Sequence, residues 1–450
     1  MRHRSRAMTH PSSGPFDLVV HGAILADGSR MALGIKDGRF AAIAPSLPPA
    51  PREIDLGGRL VCGGLVETHL HLDKSRLIDR CGCGHPSLAH AVKAVAEAKR
   101  NFTVEDIYRR AAATLEACIG HGTTHIRTHV EVDPRVGLRG LEAMIALRRD
   151  YAWAIELQIC AFPQEGLTND PGCEALLLEA LENGADLLGG APYMDAAPRE
   201  QLQRLFTLAS AYDVDLDLHL DFDLDPEGSQ IGDLCRLTAQ HKRGGRVAIG
   251  HLTKLAMVSP LNRIPYLQRL ADAGIAVSTL PATDIYLLGK ELGVHAPRAL
   301  APVHAMVDAG ISCAISTNNV LNPFTPFGDS SLLRLANFHA NVAQLDSKAA
   351  MDRSFDMIST MAARCINADY GIGVGRAATF VALDAASPEQ AIREIAPALL
   401  GYRNGRRSFT RAQVELHHPE HRRHREHREH REHREHGHDR ELCLSEAEYC

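Results

Sequence analysis

The 450-residue chain has no run of eighteen apolar residues, so nothing in it reads as a membrane-spanning helix. It lacks a surplus of basic charge: 49 Lys and Arg face 55 Asp and Glu, a formal net charge of −6, whereas nucleic-acid partners ask for a basic face. Its first sixteen residues are basic and polar, without the apolar stretch of a secretion signal, which predicts a cytoplasmic protein. The 11 cysteines are scattered and read as core thiols rather than a disulfide framework. Cys81 and Cys83 lie closest together and have no second pair downstream to complete a zinc knuckle. Also missing are a Gly-x-Ser-x-Gly elbow, a glycine-rich phosphate loop, and the His-x-Glu with Pro-Cys-x-x-Cys of zinc deaminases acting on nucleic-acid bases.

What the sequence has in plenty is histidine, 25 residues. Nine of them fall between His417 and His438, mostly in a His-Arg-Glu repeat with no apolar face from which to build a core. That tail reads as a solvated low-complexity extension, with metal capture by clustered imidazoles as the alternative. The chemistry is sought among the other histidines.

The middle of the chain alternates apolar, β-branched runs with helical stretches such as 200–212 and 259–273. Eight strands are predicted, at residues 60–67, 125–130, 155–161, 186–190, 214–220, 247–251, 275–280 and 311–317. Apolar runs rather than alternation mark parallel strands buried on both faces. The class predicted is α/β, a (β/α)8 TIM barrel. Short strands around Asp-Gly and Asn-Gly turns near both ends suggest one small β-domain, a β-sandwich formed from both termini. The expected boundaries are a tail at 1–15, the β-domain at 16–62 and 372–415, the barrel at 63–371, and the His/Arg/Glu-rich tail at 416–450.

Barrel active sites sit at the C-terminal ends of the strands, so the polar residues ending each strand are the candidates. His69 and His71 close the first strand two residues apart, which puts both imidazoles on one side of an extended chain. His219 ends the fifth strand and His251 the sixth. Neutral imidazoles gathered at one rim suit a divalent metal such as Zn or Fe. An open position on that metal would let bound water act as a hydroxide nucleophile at neutral pH.

Five stretches carry a family resemblance: Val66-Glu-Thr-His-Leu-His-Leu-Asp73, His125-Ile-Arg-Thr-His-Val130, Leu157-Gln-Ile-Cys-Ala-Phe-Pro-Gln-Glu-Gly166, Leu181-Glu-Asn-Gly-Ala-Asp186 and Asn322-Pro-Phe-Thr-Pro-Phe-Gly328. On them the chain resembles the cytosine deaminase branch of the metal-dependent amidohydrolase superfamily, over roughly residues 16 to 410. The resemblance implies a barrel with a flanking β-sandwich. It also implies His69, His71 and His219 as ligands of one metal ion, with His251 positioning water. Gln164 would hydrogen-bond the polar edge of a planar heterocycle, and Phe324 would lie against its ring.

Two positions depart from the family. Asn318 stands where a metal-binding aspartate is expected, and Asn319, which is read as a substrate contact, replaces a second aspartate. An Asn carbonyl can complete the metal shell but brings no charge and no base. Phe222 stands where a proton-shuttling glutamate is expected. Loss of a placed base typically costs on the order of a hundred- to ten-thousandfold in rate. Asp221, Asp223 and Asp284 are the candidates to replace it, and Lys74 beside the His pair is a candidate for binding an anionic group. The reaction expected is hydrolysis of a non-peptide C–N bond, as in deamination of a cytosine-like or other small nitrogen heterocycle. The alternative is a degenerate amidohydrolase fold that binds its ligand without turnover. The partner expected is a small heterocyclic molecule, not nucleic acid or membrane, with homo-oligomerisation left open.

Overall fold

A computed structural model describes residues 14–81, 87–412 and 414–417. The His-Arg-Glu repeat and Cys83 lie outside the described residues. Residues 412–450 form a unit of their own, and the architecture below belongs to the first unit, which ends at Arg411.

The chain opens with β1 (Leu18–Ile24), β2 (Arg30–Lys36), β3 (Arg39–Ala44) and β4 (Glu53–Cys62). It then builds β5 (Leu65–Leu70), β6 (Thr123–Glu131), β7 (Glu156–Phe162), β8 (Leu187–Gly190), β9 (Asp215–Leu220), β10 (Val247–His251), β11 (Ile275–Thr279) and β12 (Cys313–Ile315). It returns through β13 (Phe380–Leu383), β14 (Ala398–Arg403) and β15 (Arg406–Thr410). Strands β5 to β12 pair in parallel, each with the next in sequence, as eight strands of one sheet. A parallel bridge between Leu70 and Asn318 closes the ring, with the Asn318 N–H donating to His69 O and the His71 N–H to Asn318 O, each at 2.9 Å. Helices cross over between successive barrel strands, and all nine residues of β6 and all five of β10 are buried. Two-sided burial gives β10 its apolar run Val-Ala-Ile-Gly before His251, whereas β6 is buried although Ile126 and Val130 are its only apolar residues.

The other strands form one seven-stranded sheet in the order β15-β14-β13-β4-β1-β2-β3, so both ends of the barrel chain meet in it. Leu18, Val20, Leu33, Ile35, Phe40, Val61, Phe380 and Tyr402 pack one core there. The first predicted strand, 60–67, needs correction. Residues 60–62 belong to β4 in the small sheet, and the barrel strand starts at Leu65. The break is the Gly63-Gly64 pair. Gly64 has φ +94°, and a Cβ there would stand 2.2 Å from Thr124 Oγ1, so only glycine turns the chain at this point. Flanked by apolar residues on both sides, the pair leaves no mark in the hydrophobic pattern.

No helix among the described residues is long and apolar enough to cross a membrane. The eight described cysteines are all free, and six of them are buried.

Candidate active site

The ring of strands brings His69, His71, His219 and His251 to one end of the barrel, all at most 2% exposed. His69 Nε2 lies 3.0 Å and His71 Nε2 3.1 Å from His219 Nε2. Three ring nitrogens facing one another are a poor hydrogen-bond set, because a neutral imidazole offers one donor and one acceptor. They are a good ligand set. Two nitrogens bound tetrahedrally at ~2.0–2.1 Å from one ion lie ~3.3 Å apart. The remaining Nδ1 atoms of His71 and His219 are buried without a hydrogen-bond partner. Burial, then the Lys74 ammonium and neighbouring imidazoles, pushes His71 well below the usual histidine range, and burial with neighbouring imidazoles does the same to His219. Burial first and His129 second push His69 down to about 3. All three are therefore held neutral, the form that binds a metal.

Asn318 follows β12 with φ +62°, a left-handed conformation that asparagine and aspartate tolerate best among residues with a Cβ. Its backbone is fastened between His69 and His71 by the two hydrogen bonds that close the barrel. Its Oδ1 is buried and without a partner. Three convergent neutral imidazoles and an orphaned amide oxygen fit a divalent cation, and His69, His71, His219 and Asn318 are the residues that would hold it.

His251 ends β10 at φ +73° and is followed by Leu252 at +56°. Two non-glycine residues in this region mark a locally strained turn of the kind that collects at active sites. His251 Nδ1 lies 2.7 Å from Asp284 Oδ1, and the Phe222 ring stacks on the other side of the imidazole with centroids 3.7 Å apart. Asp284 is fully buried on the helix Pro281–Leu287 after β11, and burial pushes its carboxyl well above the usual range.

Of the three candidate replacement acids, the structure brings only Asp284 to the imidazole cluster. Asp221 Oδ2 accepts from Ser229 Oγ and Oδ1 from the Gln230 N–H, which organise the loop after β9. Asp223 pairs with Lys254 at 2.8 Å and is 45% exposed. Both lie beyond the end of β9 at Leu220, and the left-handed backbone of Asp221 at φ +51° ends the strand alternation that would otherwise have put its side chain on the side of His219.

Gln164 follows β7 and is buried. Its Oε1 accepts from Lys74 Nζ at 2.8 Å, and its Nε2 donates to Tyr193 Oη at 3.2 Å. The same Lys74 ammonium stands 4.5 Å from the centre of the Phe324 ring and 5.6 Å from that of Phe162, which stacks on His219. Asn319 Oδ1 accepts from Asn322 Nδ2 at 2.8 Å, which ties it to the loop carrying Phe324.

Several groups were not singled out in the sequence. His129, at the end of β6, stacks on His69 with centroids 3.8 Å apart, and Asp217 lies 3.4 Å from its Nε2 while pairing with Arg127 at 2.9 Å. Burial would raise Asp217, but His129, His69 and Arg127 outweigh it and hold the carboxyl well below its usual range. The strand-end rule applied to β6 would have found His129, and two-residue spacing before His219 would have found Asp217. Lys99 sits among Glu131, Asp133 and Glu165, with Nζ 2.7, 2.5 and 2.7 Å from their oxygens. Nothing local in the sequence marks Lys99.

A parallel eight-stranded barrel with imidazoles converging at the strand ends defines the class as a TIM barrel with a candidate metal centre at its mouth. The amidohydrolase family model matches residues 52–168 and 148–409, and the chain belongs to the amidohydrolase family. It is 29% identical over 409 residues to N-isopropylammelide isopropyl amidohydrolase of Pseudomonas sp. (strain ADP), covering 88% of this chain and 97% of that one. It is 28% identical to a pterin deaminase of Rhizobium rhizogenes, over 78% of this chain and 81% of the relative. Among solved structures, 5-methylcytosine deaminase from Klebsiella pneumoniae liganded with 5-fluorocytosine superposes with a TM-score of 0.85 at 26% identity, covering 89% of this chain and 99% of the other.

Proposed function

We propose that this chain is a metal-dependent hydrolase of a non-peptide C–N bond in a small nitrogen heterocycle, releasing ammonia or an amine. The observation that carries the reading is the convergence of His69, His71 and His219 through their Nε2 atoms at 3.0 and 3.1 Å. The names of the relatives, amidohydrolase and deaminase, support the bond and the substrate class. A divalent ion, Zn or Fe, when bound there, supplies Lewis acidity and lowers the pKa of water. The chain's own residues do the rest. His251, fixed at Nδ1 by Asp284, holds or moves a proton at Nε2. Phe222 and Phe162 wall the imidazoles and exclude bulk water, while Phe324, Gln164 and Lys74 bind and orient a flat ring. Asp284 takes over the part of the two carboxylates that the family pattern expects at 318 and 222, through His251 rather than by direct contact.

The test is metal stoichiometry by elemental analysis of the full chain beside His69→Ala/His71→Ala in the same chain. The difference cancels any ion taken up by the histidine-rich tail. A difference of one ion per chain, followed by ammonia or amine release from heterocyclic amines that the variant does not catalyse, is the expected result. No difference after refilling with Zn²⁺ or Fe²⁺ would overturn it and favour a ligand-binding role, the reading that Asn318 and the stacked Phe222 motivate.

A further inference from the structure

The barrel closes between β5 and the end of β12, and this seam is held differently from the other strand pairs. Among the described residues, the bridge of Leu70 with Asn318 is the only backbone pairing across it. Earlier in both strands the Val66 N–H donates to Ile358 O and the Ile315 N–H to Met357 O, so residues 357–358 occupy the gap. Between that insert and the bridge, side chains supply the acceptors. The Thr68 N–H donates to Ser316 Oγ at 3.2 Å. The His69 N–H donates to Glu67 Oε1 at 3.1 Å, and the Thr317 N–H donates to Glu67 Oε2 at 3.0 Å. The need for these acceptors is local. Against β6, Glu67 stands opposite Ile126 and Leu70 opposite Thr128, three steps along β5 for two along β6. The extra residue is a β-bulge, a feature that disrupts the ladder, re-aims side chains and is over-represented beside active sites. Here it spans His69.

Glu67 is 1% exposed, and no Lys or Arg pairs with it among the described residues. A carboxylate buried without a cation is unfavourable by itself. Two N–H groups converging from both sides of the seam account for it. A carboxylate offers two acceptor oxygens and no donor, whereas an amide would turn an NH2 toward one of them. One N–H belongs to His69 and the other to the residue before Asn318, so a single side chain fixes the backbone at two of the residues that would hold the ion. We propose that Glu67 is a positioning residue of the metal centre, holding the His69 bulge and the Asn318 turn at the spacing the ion requires. This role rests on the metal site of the proposed function and deepens it. Ser316 stitches the same seam through the Thr68 N–H, on a residue that holds no ion, and so serves as the comparison.

The experiment is competition for Zn²⁺ between the full chain and a chromophoric chelator, with His69→Ala/His71→Ala as the blank for any ion taken up by the histidine-rich tail. Glu67→Gln is expected to hold Zn²⁺ about ten- to a hundredfold more weakly, the weight of a group that orients a metal ligand. Ser316→Ala, which removes the neighbouring stitch, is expected to keep the affinity of the unaltered chain. Unchanged affinity in Glu67→Gln overturns the proposal. So does an equal loss in Ser316→Ala, since the effect would then belong to the seam and not to Glu67. Hydrogen exchange tests the role without a substitution. Coupling is reciprocal, so if the Glu67 bonds favour the ion, the ion favours the bonds. The His69 and Thr317 amides are expected to slow together when Zn²⁺ binds the unaltered chain. No slowing at Thr317 overturns the proposal even if Glu67→Gln does not fold. The two readings fail separately. An unaltered chain that takes up no more Zn²⁺ than the blank removes the metal site and this role with it. One that binds Zn²⁺ regardless of Glu67 keeps the site and loses only the positioning role.

Discussion

Two buried polar clusters share the mouth of this barrel, and they are built on opposite terms. In the imidazole cluster, His69, His71 and His219 face one another through atoms that cannot all be satisfied, and Asn318 Oδ1 has no partner at all. In the ionic cluster, Lys74 and Lys99 reach Glu131, Asp133 and Glu165 at 2.5 to 2.7 Å, and the oxygens of Glu131 and Glu165 are all taken. Burial acts on both, yet it drives the imidazoles to their neutral forms, whereas the flanking ammoniums hold Glu131 well below the usual carboxylate range against it. An unsatisfied cluster is ready for something else to bind, and a saturated one holds its own members, Lys74 among them, in fixed positions. Glu131, Asp133 and Glu165 stand close enough together to hold an ion by themselves, but the Lys99 ammonium already lies among them.

The sharpest way to break this contrast is at the proton-handling histidine. His251→Gln is expected to lower turnover by about a hundred- to ten-thousandfold, the range for a positioned general acid or base, with metal content unchanged by elemental analysis. Asp284→Asn is expected to fall short of that loss, because it leaves His251 in place and alters only its partner. Retained turnover in His251→Gln would separate the imidazole cluster from the chemistry assigned to it.

Next is stability. Lys99→Met leaves three carboxylates around an apolar end and is expected to destabilise by about 3–5 kcal/mol in urea unfolding, as for a buried ion pair deprived of one partner. His219→Ala in metal-free protein is expected to lose less, because it relieves two nitrogen–nitrogen contacts that no proton arrangement satisfies together. If the two losses came out equal, the division into ready and saturated clusters would be wrong.

How far the site could be read in advance follows the same division. The imidazoles occur at strand ends, where a barrel always exposes what it will use, so local pattern located them, whereas Gln164 and Phe324 were indicated by the family resemblance alone. Asp221 and Asp223 sit at equally promising positions, yet their carboxylates cap and anchor the loop after β9, a fate set by Ser229 and Gln230 later in the same segment and by Lys254 beyond the next strand. Lys99 lies ahead of the β6 acids by 32 residues in its Glu131 contact, and only the folded barrel joins them. The strand pattern was legible for a related reason. Two-sided burial writes itself into consecutive residues, whereas the Gly63-Gly64 corner depends on Thr124 in another strand.

Asn318→Asp sharpens the comparison by adding charge to the neutral cluster. The left-handed backbone at φ +62° accepts aspartate as readily as asparagine. Ligand charge tunes cation affinity, so chelator competition is expected to show a metal held about tenfold tighter or more. Unchanged affinity would remove Asn318 from the ligand set.

The smallest effect tests whether buried neutral histidine by itself makes a cluster open. His304 and His339 stack at 5.8 Å in the outer helical layer, away from the barrel mouth. Burial, then His304, pushes His339 down to about 3, and burial, then Arg353, pushes His304 to about 4, with Asp308 opposing. The folded pKa is depressed below the unfolded value of about 6.5. Between the two the unfolded chain binds more protons, so stability rises with pH across that window and is lost as pH falls from 6.5 toward the folded values. Each such histidine contributes up to about 1.4 kcal/mol per pH unit there. His339→Leu is expected to flatten the acid side of the stability profile between pH 6.5 and 4 while leaving metal content and turnover untouched. A change in metal content would mean that the outer pair is coupled to the mouth. Its absence would show that what distinguishes the mouth is convergence of ring nitrogens, not burial, because both places hold histidines equally neutral.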